Sequence, residues 1–310
     1  MRYFKSDSKN PLFQEETAVS IGNFDGVHIA HQRLINESVN FAKKSGLVSA
    51  VLTFRPHTAH LFDRFGSPHL IMDYDEKIEE IAKLGPDIII EQKFDEEFAS
   101  MSTDEFLYGY LGGIKARAIF TGYDFSFSRS KQANHNDLRE FGRKSGAFIW
   151  IMEPQMYCGT KISSTKIRNL LQEGNIVTAN QLLGRRYYIS GVVVRGKMLG
   201  RRIGAGTANI CITNRLVPRE GVYMTIAEID GRRFRAVSNI GKTSKERDIP
   251  VLETHILDFD EELYDKRIKV EFLRFIRPEI RFDSLERLTE TIKNDIATVR
   301  NLFGEMNEDI

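Results

Sequence analysis

The chain has almost no cysteine. Cys158 and Cys211 are the only two in 310 residues. They lie far apart, form no CxxC pair and are too few for a disulfide framework, which excludes the disulfide-stapled secreted class and fits a reducing cytoplasm. An excess of either charge is also missing, with 44 Lys plus Arg against 43 Asp plus Glu. So balanced a surface has no general positive field to hold a nucleic-acid backbone or an anionic membrane, and any phosphate chemistry must come from local groups. No window approaches the roughly 18 apolar residues of a membrane span, and the polar first ten residues lack the apolar core of a signal peptide. Internal repeats and low-complexity tracts are absent. These absences predict a soluble, unprocessed cytoplasmic protein with small-molecule rather than nucleic-acid or membrane partners; they leave oligomeric state open.

What is present is enough for two cores, since either half of a chain this long can bury its own. From residue 17 to 153, short β-branched runs alternate with segments of helical period. Strands are expected at 17–24, 47–54, 87–93, 116–122 and 147–152, with helices at 28–45, 75–84, 103–111 and 136–144. This alternation predicts an α/β domain with a doubly wound, Rossmann-like parallel sheet, whose ligands sit at the carboxyl ends of strands where the strand order switches. Two short helices follow, at 164–172 and 176–183, closed by Gly174 and Gly184. Beyond Arg186 the period becomes that of strands, at 187–194, 207–212, 222–229, 232–238, 252–258 and 266–275. Asp230-Gly231 marks a two-residue hairpin. Six strands joined by tight turns predict a small antiparallel six-stranded β-barrel. A C-terminal helix, capped by Asp283, would present Leu285, Leu288, Ile292 and Ile296 to it. The domains are expected at 1–185 and 186–310.

Two segments of the first half carry chemistry. Gly22-Asn23-Phe24-Asp25-Gly26 ends a strand and turns directly into a helix that opens with His28 and His31. The turn aims free backbone N–H groups and a positive helix end at whatever binds there, and two imidazoles three residues apart share one helical face. That combination suits a polyphosphate, whose transfer depends on positioning and charge stabilisation. Taken alone, the pair also reads as surface histidines at a helix start or as zinc ligands. Zinc is disfavoured, because no cysteine is near and His57, His60 and His69 form no ligand pattern. In Lys161-Ile162-Ser163-Ser164-Thr165-Lys166-Ile167-Arg168, a serine caps a helix whose first turn adds a hydroxyl and two cations, making a second anion site or an ordinary capped helix.

Together these sites resemble those of the bacterial bifunctional riboflavin kinase/FMN adenylyltransferases, and the resemblance runs from about Val19 to Asn301. It implies that Gly22, Asn23, Phe24 and Asp25 border ATP, that His28 and His31 contact its phosphates, and that Ser164, Thr165 and Arg168 handle phosphate. Gly122-Tyr123-Asp124-Phe125-Ser126-Phe127 is similar to the family's Gly-Tyr-Asp-Phe-x-Phe segment, which places Gly122, Asp124 and Phe125 at the nucleotide and flavin cleft. In the barrel, Gly196, Gly200, Arg201 and Gly204 belong to a glycine-rich basic turn suited to phosphates. Gly206-Thr207-Ala208-Asn209 resembles the family's Pro-Thr-Ala-Asn motif, in which threonine and asparagine oxygens help hold magnesium and the nucleotide; Thr207 and Asn209 keep those oxygens. Glu253 matches the family's catalytic base toward the riboflavin 5′-hydroxyl. On its own it is an outward-facing strand carboxylate.

The chain departs from the pattern at Ala30, Ser128, Ala133 and Gly206, at Thr58 where a proline is expected after His57, and at Lys242-Thr243-Ser244 where a Pro-Thr pair is expected after Gly241. The resemblance implies FAD synthesis from FMN and ATP with Mg2+, and phosphorylation of riboflavin by the barrel. Two alternatives stand beside it: an adenylyltransferase with an impaired kinase half, and a flavin-binding regulator without turnover.

Overall fold

The computed structural model describes residues 1–7, 11–62, 69–126, 134–195, 207–242 and 250–306. The chain forms two compact units, Met1–Ser164 and Thr165–Ile310.

The first unit is built on six parallel strands: β1 (Arg2–Ser6), β2 (Thr17–Ile21), β3 (Val48–Arg55), β4 (Ile88–Lys93), β5 (Ala116–Gly122) and β6 (Phe148–Met152). Their order across the sheet is β1-β4-β3-β2-β5-β6. The chain therefore winds one way from β2 to β4 and the other way from β5 to β6, so the order switches between β2 and β5. That switch opens a crevice at their carboxyl ends, the usual ligand position in such sheets. The central strands are buried on both faces, with Val19, Leu52, Ile90 and Ile119 in one apolar cluster with Phe98, Phe106 and Tyr110. Helix α1 (Ile29–Ser45) follows β2 and stops at Gly46 in the left-handed region (φ 67°).

Several elements differ from expectation. β2 ends at Ile21 rather than residue 24, because the chain leaves the extended region at Phe24 (φ 51°) and turns at Gly26 (φ 80°) and Val27 (φ 39°). β1 pairs with β4 although its residues are mostly exposed, and so carries no apolar alternation to read. Between α2 (Ala59–Phe62) and β4 lies α3 (Tyr74–Ala82), opened by a capping box of Asp73 and Glu76. After α4 (Glu96–Ala99), the helix expected at 103–111 is a π-helical turn, Glu105–Tyr110, running into α5 (Leu111–Gly113). Helix α6 (His135–Ser145) precedes β6, and a small hairpin, β7 (Met156–Tyr157) and β8 (Thr160–Lys161), closes the unit.

Helix α7 (Ser164–Glu173) starts on the last residue of the first unit and runs into the second, where α8 (Ile176–Leu183) follows. Asn180 of α8 ties to the barrel twice, donating from Nδ2 to Phe272 O at 2.8 Å and accepting the Tyr187 N–H at Oδ1 at 2.7 Å. The barrel strands are β9 (Tyr187–Val192), β10 (Thr207–Cys211), β11 (Gly221–Ile229), β12 (Arg232–Lys242), β13 (Pro250–Ile256) and β14 (Arg267–Pro278). They form one antiparallel sheet in the order β10-β13-β12-β11-β14-β9, curled so that a bridge between Val194 and Asn209 joins its two edges. Gly191 sits at this seam, where a Cβ would meet Ile210 Cγ2 at 2.4 Å. Asp230-Gly231 makes the two-residue β11–β12 turn as expected. The interior carries a chain of hydroxyls, Thr225 to Ser238 at 2.7 Å and Ser238 to Thr254 at 2.9 Å, so these buried polar atoms satisfy one another.

The last helix, α9 (Leu285–Glu305), takes Ser284 rather than Asp283 as its cap, the Ser284 side chain accepting the Arg287 N–H. Its predicted apolar stripe docks through its second half, where Ile296 packs on the barrel. Leu285 is exposed, while Val299 and Phe303 are buried against Val222, Met224 and Val237. Arg277 and Asp295 fix the angle with paired bonds of 2.9 and 2.6 Å.

Candidate active site

In the first unit the two motifs converge. The turn after β2 places two non-glycine residues, Phe24 and Val27, at positive φ, and both are fully buried. Such geometry costs of order 1–3 kcal/mol per residue and persists only where the surroundings fix it. At Gly26 a Cβ would meet Ile71 Cδ1 at 2.9 Å. The Asp25 carboxylate accepts the Ile71 N–H at 3.0 and 3.2 Å, so it braces the turn from within. The Asp25 carbonyl accepts the Ser164 hydroxyl at 2.9 Å. This bond joins residues 139 positions apart and brings the serine-rich segment onto the glycine turn at the switch point. The intervening hairpin is held to α1 by Arg33 donating to Gln155 Oε1 at 2.5 Å, while the Gln155 carbonyl accepts the Ile162 N–H at 2.9 Å.

His28 occupies the N-cap of α1 rather than its first turn, and its Nδ1 accepts the His31 N–H at 3.3 Å. An accepting Nδ1 puts the imidazole proton on Nε2. The His31 ring stacks on His28 at 3.5 Å, with Phe24 edge-on to it at 5.3 Å. Ala30, between the two histidines, is buried.

The second wall of the crevice is the end of β5. The Gly122 carbonyl accepts the Phe125 N–H at 3.1 Å and lies 3.1 Å from His135 Nε2, and Asp124 is exposed on the turn so formed. Lys161 lies over the Tyr123 ring at 4.2 Å. Ser163 falls at the N-cap position, one residue before α7 begins at Ser164. Thr165 and Arg168 follow on the first turn of α7, exposed and half-buried respectively, in the second unit.

Sequence reasoning passed over Lys77. Its side chain is buried, and its Nζ donates to Thr53 Oγ1 and Phe54 O at 3.0 Å each and to Asn23 O at 3.4 Å. Burial pushes its ammonium down to about 8, against the opposing pull of Glu91 and Asp25. The only sequence signal was a lysine four residues before Ile81 on the buried stripe of α3, a pattern that usually means a snorkelling surface lysine.

In the barrel, register gathers the predicted residues into one row. Asn209 of β10 lies opposite Glu253 of β13, which lies opposite Asn239 of β12. Directly paired residues project to the same face of a sheet, so a carboxylate is flanked by two carboxamides. Glu253 is exposed and Asn209 buried. Thr207 stands two residues before Asn209 on that face, and its carbonyl accepts Asn209 Nδ2 at 3.2 Å, which leaves Oδ1 as the acceptor end. Gly196, Gly200, Arg201, Gly204 and Gly206 lie outside the described residues, as do Ser128, Ala133, Thr243 and Ser244.

The comparisons with known proteins agree with this division. The FAD synthetase family matches residues 10–166 and the riboflavin kinase family matches 183–303. The bifunctional riboflavin kinase/FMN adenylyltransferase of Bacillus subtilis (strain 168) is 36% identical over 307 residues, covering 96% of each chain. The protein of the same name from Escherichia coli (strain K12) is 33% identical, covering 94% of each. A crystal structure titled macrolide-efflux protein, from Streptococcus pneumoniae, superposes with a TM-score of 0.88 at 28% identity, over 97% of this chain and 99% of that one. Efflux is said of that protein; here, among the described residues, no helix is long and apolar enough to cross a membrane. Two family matches in tandem, on relatives that align from end to end, leave one placement: the chain belongs to the bifunctional riboflavin kinase/FMN adenylyltransferase family.

Proposed function

We propose that the protein makes FAD in two steps, riboflavin to FMN in the barrel and FMN to FAD at the β2–β5 crevice, with residues 1–185 serving the second step and 186–310 the first. The observation that carries adenylyl transfer is the Ser164 hydroxyl bonded to the Asp25 carbonyl, which unites both phosphate motifs at the sheet's switch point. ATP lies across the Gly22–Asp25 turn, and Gly122, Asp124 and Phe125 border the nucleotide and flavin. An FMN phosphate oxygen attacks the α-phosphorus, the bond to the bridging oxygen breaks, and pyrophosphate leaves. His28 Nε2–H and the first N–H groups of α1 donate to the oxygens that gain charge, with His31 and Ser164 completing the anion site.

In the barrel, Glu253 accepts the riboflavin 5′-hydroxyl proton as its oxygen attacks the γ-phosphorus and ADP departs. Thr207 and Asn209 would hold magnesium, and their donor chemistry fits a hard cation bound chiefly through substrate phosphates and water. Bound there, magnesium neutralises phosphate charge. Gly196, Gly200, Arg201 and Gly204 would wrap the same phosphates. Cys158 and Cys211 are exposed free thiols, which suits a cytoplasmic enzyme.

Incubation of the purified protein with riboflavin, ATP and magnesium tests the reading and is expected to give FMN, then FAD. FAD from supplied FMN, with no FMN from riboflavin, would reduce the protein to an adenylyltransferase. Tight flavin binding without either product would make it a regulator.

A further inference from the structure

We infer that Lys77, Thr53 and Thr58 clamp Asn23, making Lys77 and Thr58 positioning residues for the glycine turn and Asn23 its strut. The turn holds two buried non-glycine residues at positive φ, a conformation its own sequence does not favour, so something outside it must fix the chain between β2 and α1. Asn23 is held at both ends. Its carbonyl accepts from Thr53 Oγ1 at 3.1 Å and from Lys77 Nζ at 3.4 Å. Its side chain pairs with Thr58 in both directions: Nδ2 donates to Thr58 Oγ1 at 2.8 Å, and Oδ1 accepts the Thr58 N–H at 3.2 Å. A proline at position 58, expected from the family pattern, has neither an N–H nor a hydroxyl, so it could make neither bond; the N–H bond needs only a non-proline residue, while the second needs a hydroxyl. Lys77 also donates to Thr53 and to the Phe54 carbonyl, anchoring the clamp to the end of β3.

The ammonium is surrounded by Glu91 of β4, Asp25 of the turn, Arg55 of β3 and the Tyr74 ring of its own helix, 5.2 Å away. Burial is the largest influence on it and favours loss of the proton. A neutral amine has one donor fewer for its three acceptors, so the clamp loosens as the proton leaves.

The inference rests on adenylyl transfer at this crevice, and the test separates the two. In the full-length enzyme, Lys77→Met is expected to lower kcat/KM for FAD formation at least tenfold, with riboflavin phosphorylation by the same preparation within twofold of wild type. The wild-type profile for FAD formation should bend downward near pH 8, and the Lys77→Met profile should not. Thr58→Val keeps the N–H but removes the hydroxyl; it should raise KM for ATP several-fold with kcat nearly unchanged, and Thr58→Ser should restore it. If Lys77→Met does not fold, the Thr58 pair decides alone. Wild-type kinetics in Thr58→Val, or equal loss of both activities in Lys77→Met, would overturn the clamp. A wild-type enzyme that forms no FAD from FMN would remove the adenylyl-transfer reading and the clamp with it.

Discussion

His28 shows how much one position can hold. As N-cap it accepts the His31 N–H at Nδ1, and the same bond fixes the imidazole proton on Nε2. Replacing it with alanine removes both a cap and a donor toward developing phosphate charge, so His28→Ala should slow FAD formation about 100-fold while riboflavin phosphorylation persists. Glu253 gives the converse test. Its two flanking carboxamides, Asn209 and Asn239, remain in Glu253→Gln, but the base is gone; FMN formation from riboflavin should fall by about two to four orders of magnitude with FAD formation from FMN unchanged. Parallel rate measurements on both substrates check each variant. The imidazole pair stood out in the sequence because its motif is local, whereas Glu253 was picked out by the family resemblance and reads alone as a strand carboxylate. The carboxamide row was not, because Asn239 meets Glu253 only through strand register.

At the scale of elements, helix α9 shows that a periodic pattern names a face but not how much of it is buried. Its apolar stripe predicts docking from Leu285 onward, yet Leu285 is exposed and the buried anchors are Val299 and Phe303. Asp295, a buried charge beside that stripe, forms paired bonds with Arg277 of β14 that hold the second half of the helix to the barrel. Removing one partner strands the other, so Asp295→Ala should cost the barrel about 2 kcal/mol. Joint replacement, Arg277→Met with Asp295→Leu, should recover most of it. Denaturant midpoints followed through loss of riboflavin phosphorylation would show the difference. β1 illustrates the opposite failure: an edge strand with exposed side chains has no alternation, and only its pairing with β4 makes it a strand.

For the molecule as a whole, two separately cored units allow one to be watched without the other. The single tryptophan, Trp150, lies in β6 of the first unit, packed near Phe120, so its emission reports that unit's unfolding. Lys77 gives that unit a distinctive pH response. Its ammonium is pushed down to about 8 from an ordinary 10.5, so between those values the folded state binds fewer protons than the unfolded state and stability rises with pH. The rise should amount to about 1–2 kcal/mol from pH 8 to 9.5 by Trp150 emission and be missing in Lys77→Met. Above pH 10 the raised Tyr74 and Tyr110 hydroxyls oppose it, because their unfolded forms ionise first. The amino-acid sequence alone determined the α/β half followed by a barrel and the strand–turn–helix segment on which the proposed phosphate site rests, because periodicity, turn chemistry and motif spacing are short-range. Tertiary structure alone decided the strand order that opens the crevice between β2 and β5, the meeting of Ser164 with Asp25, and the clamp on Asn23. Each of these depends on which distant segments lie side by side, and that is set by sheet pairing and the packing of helices over it.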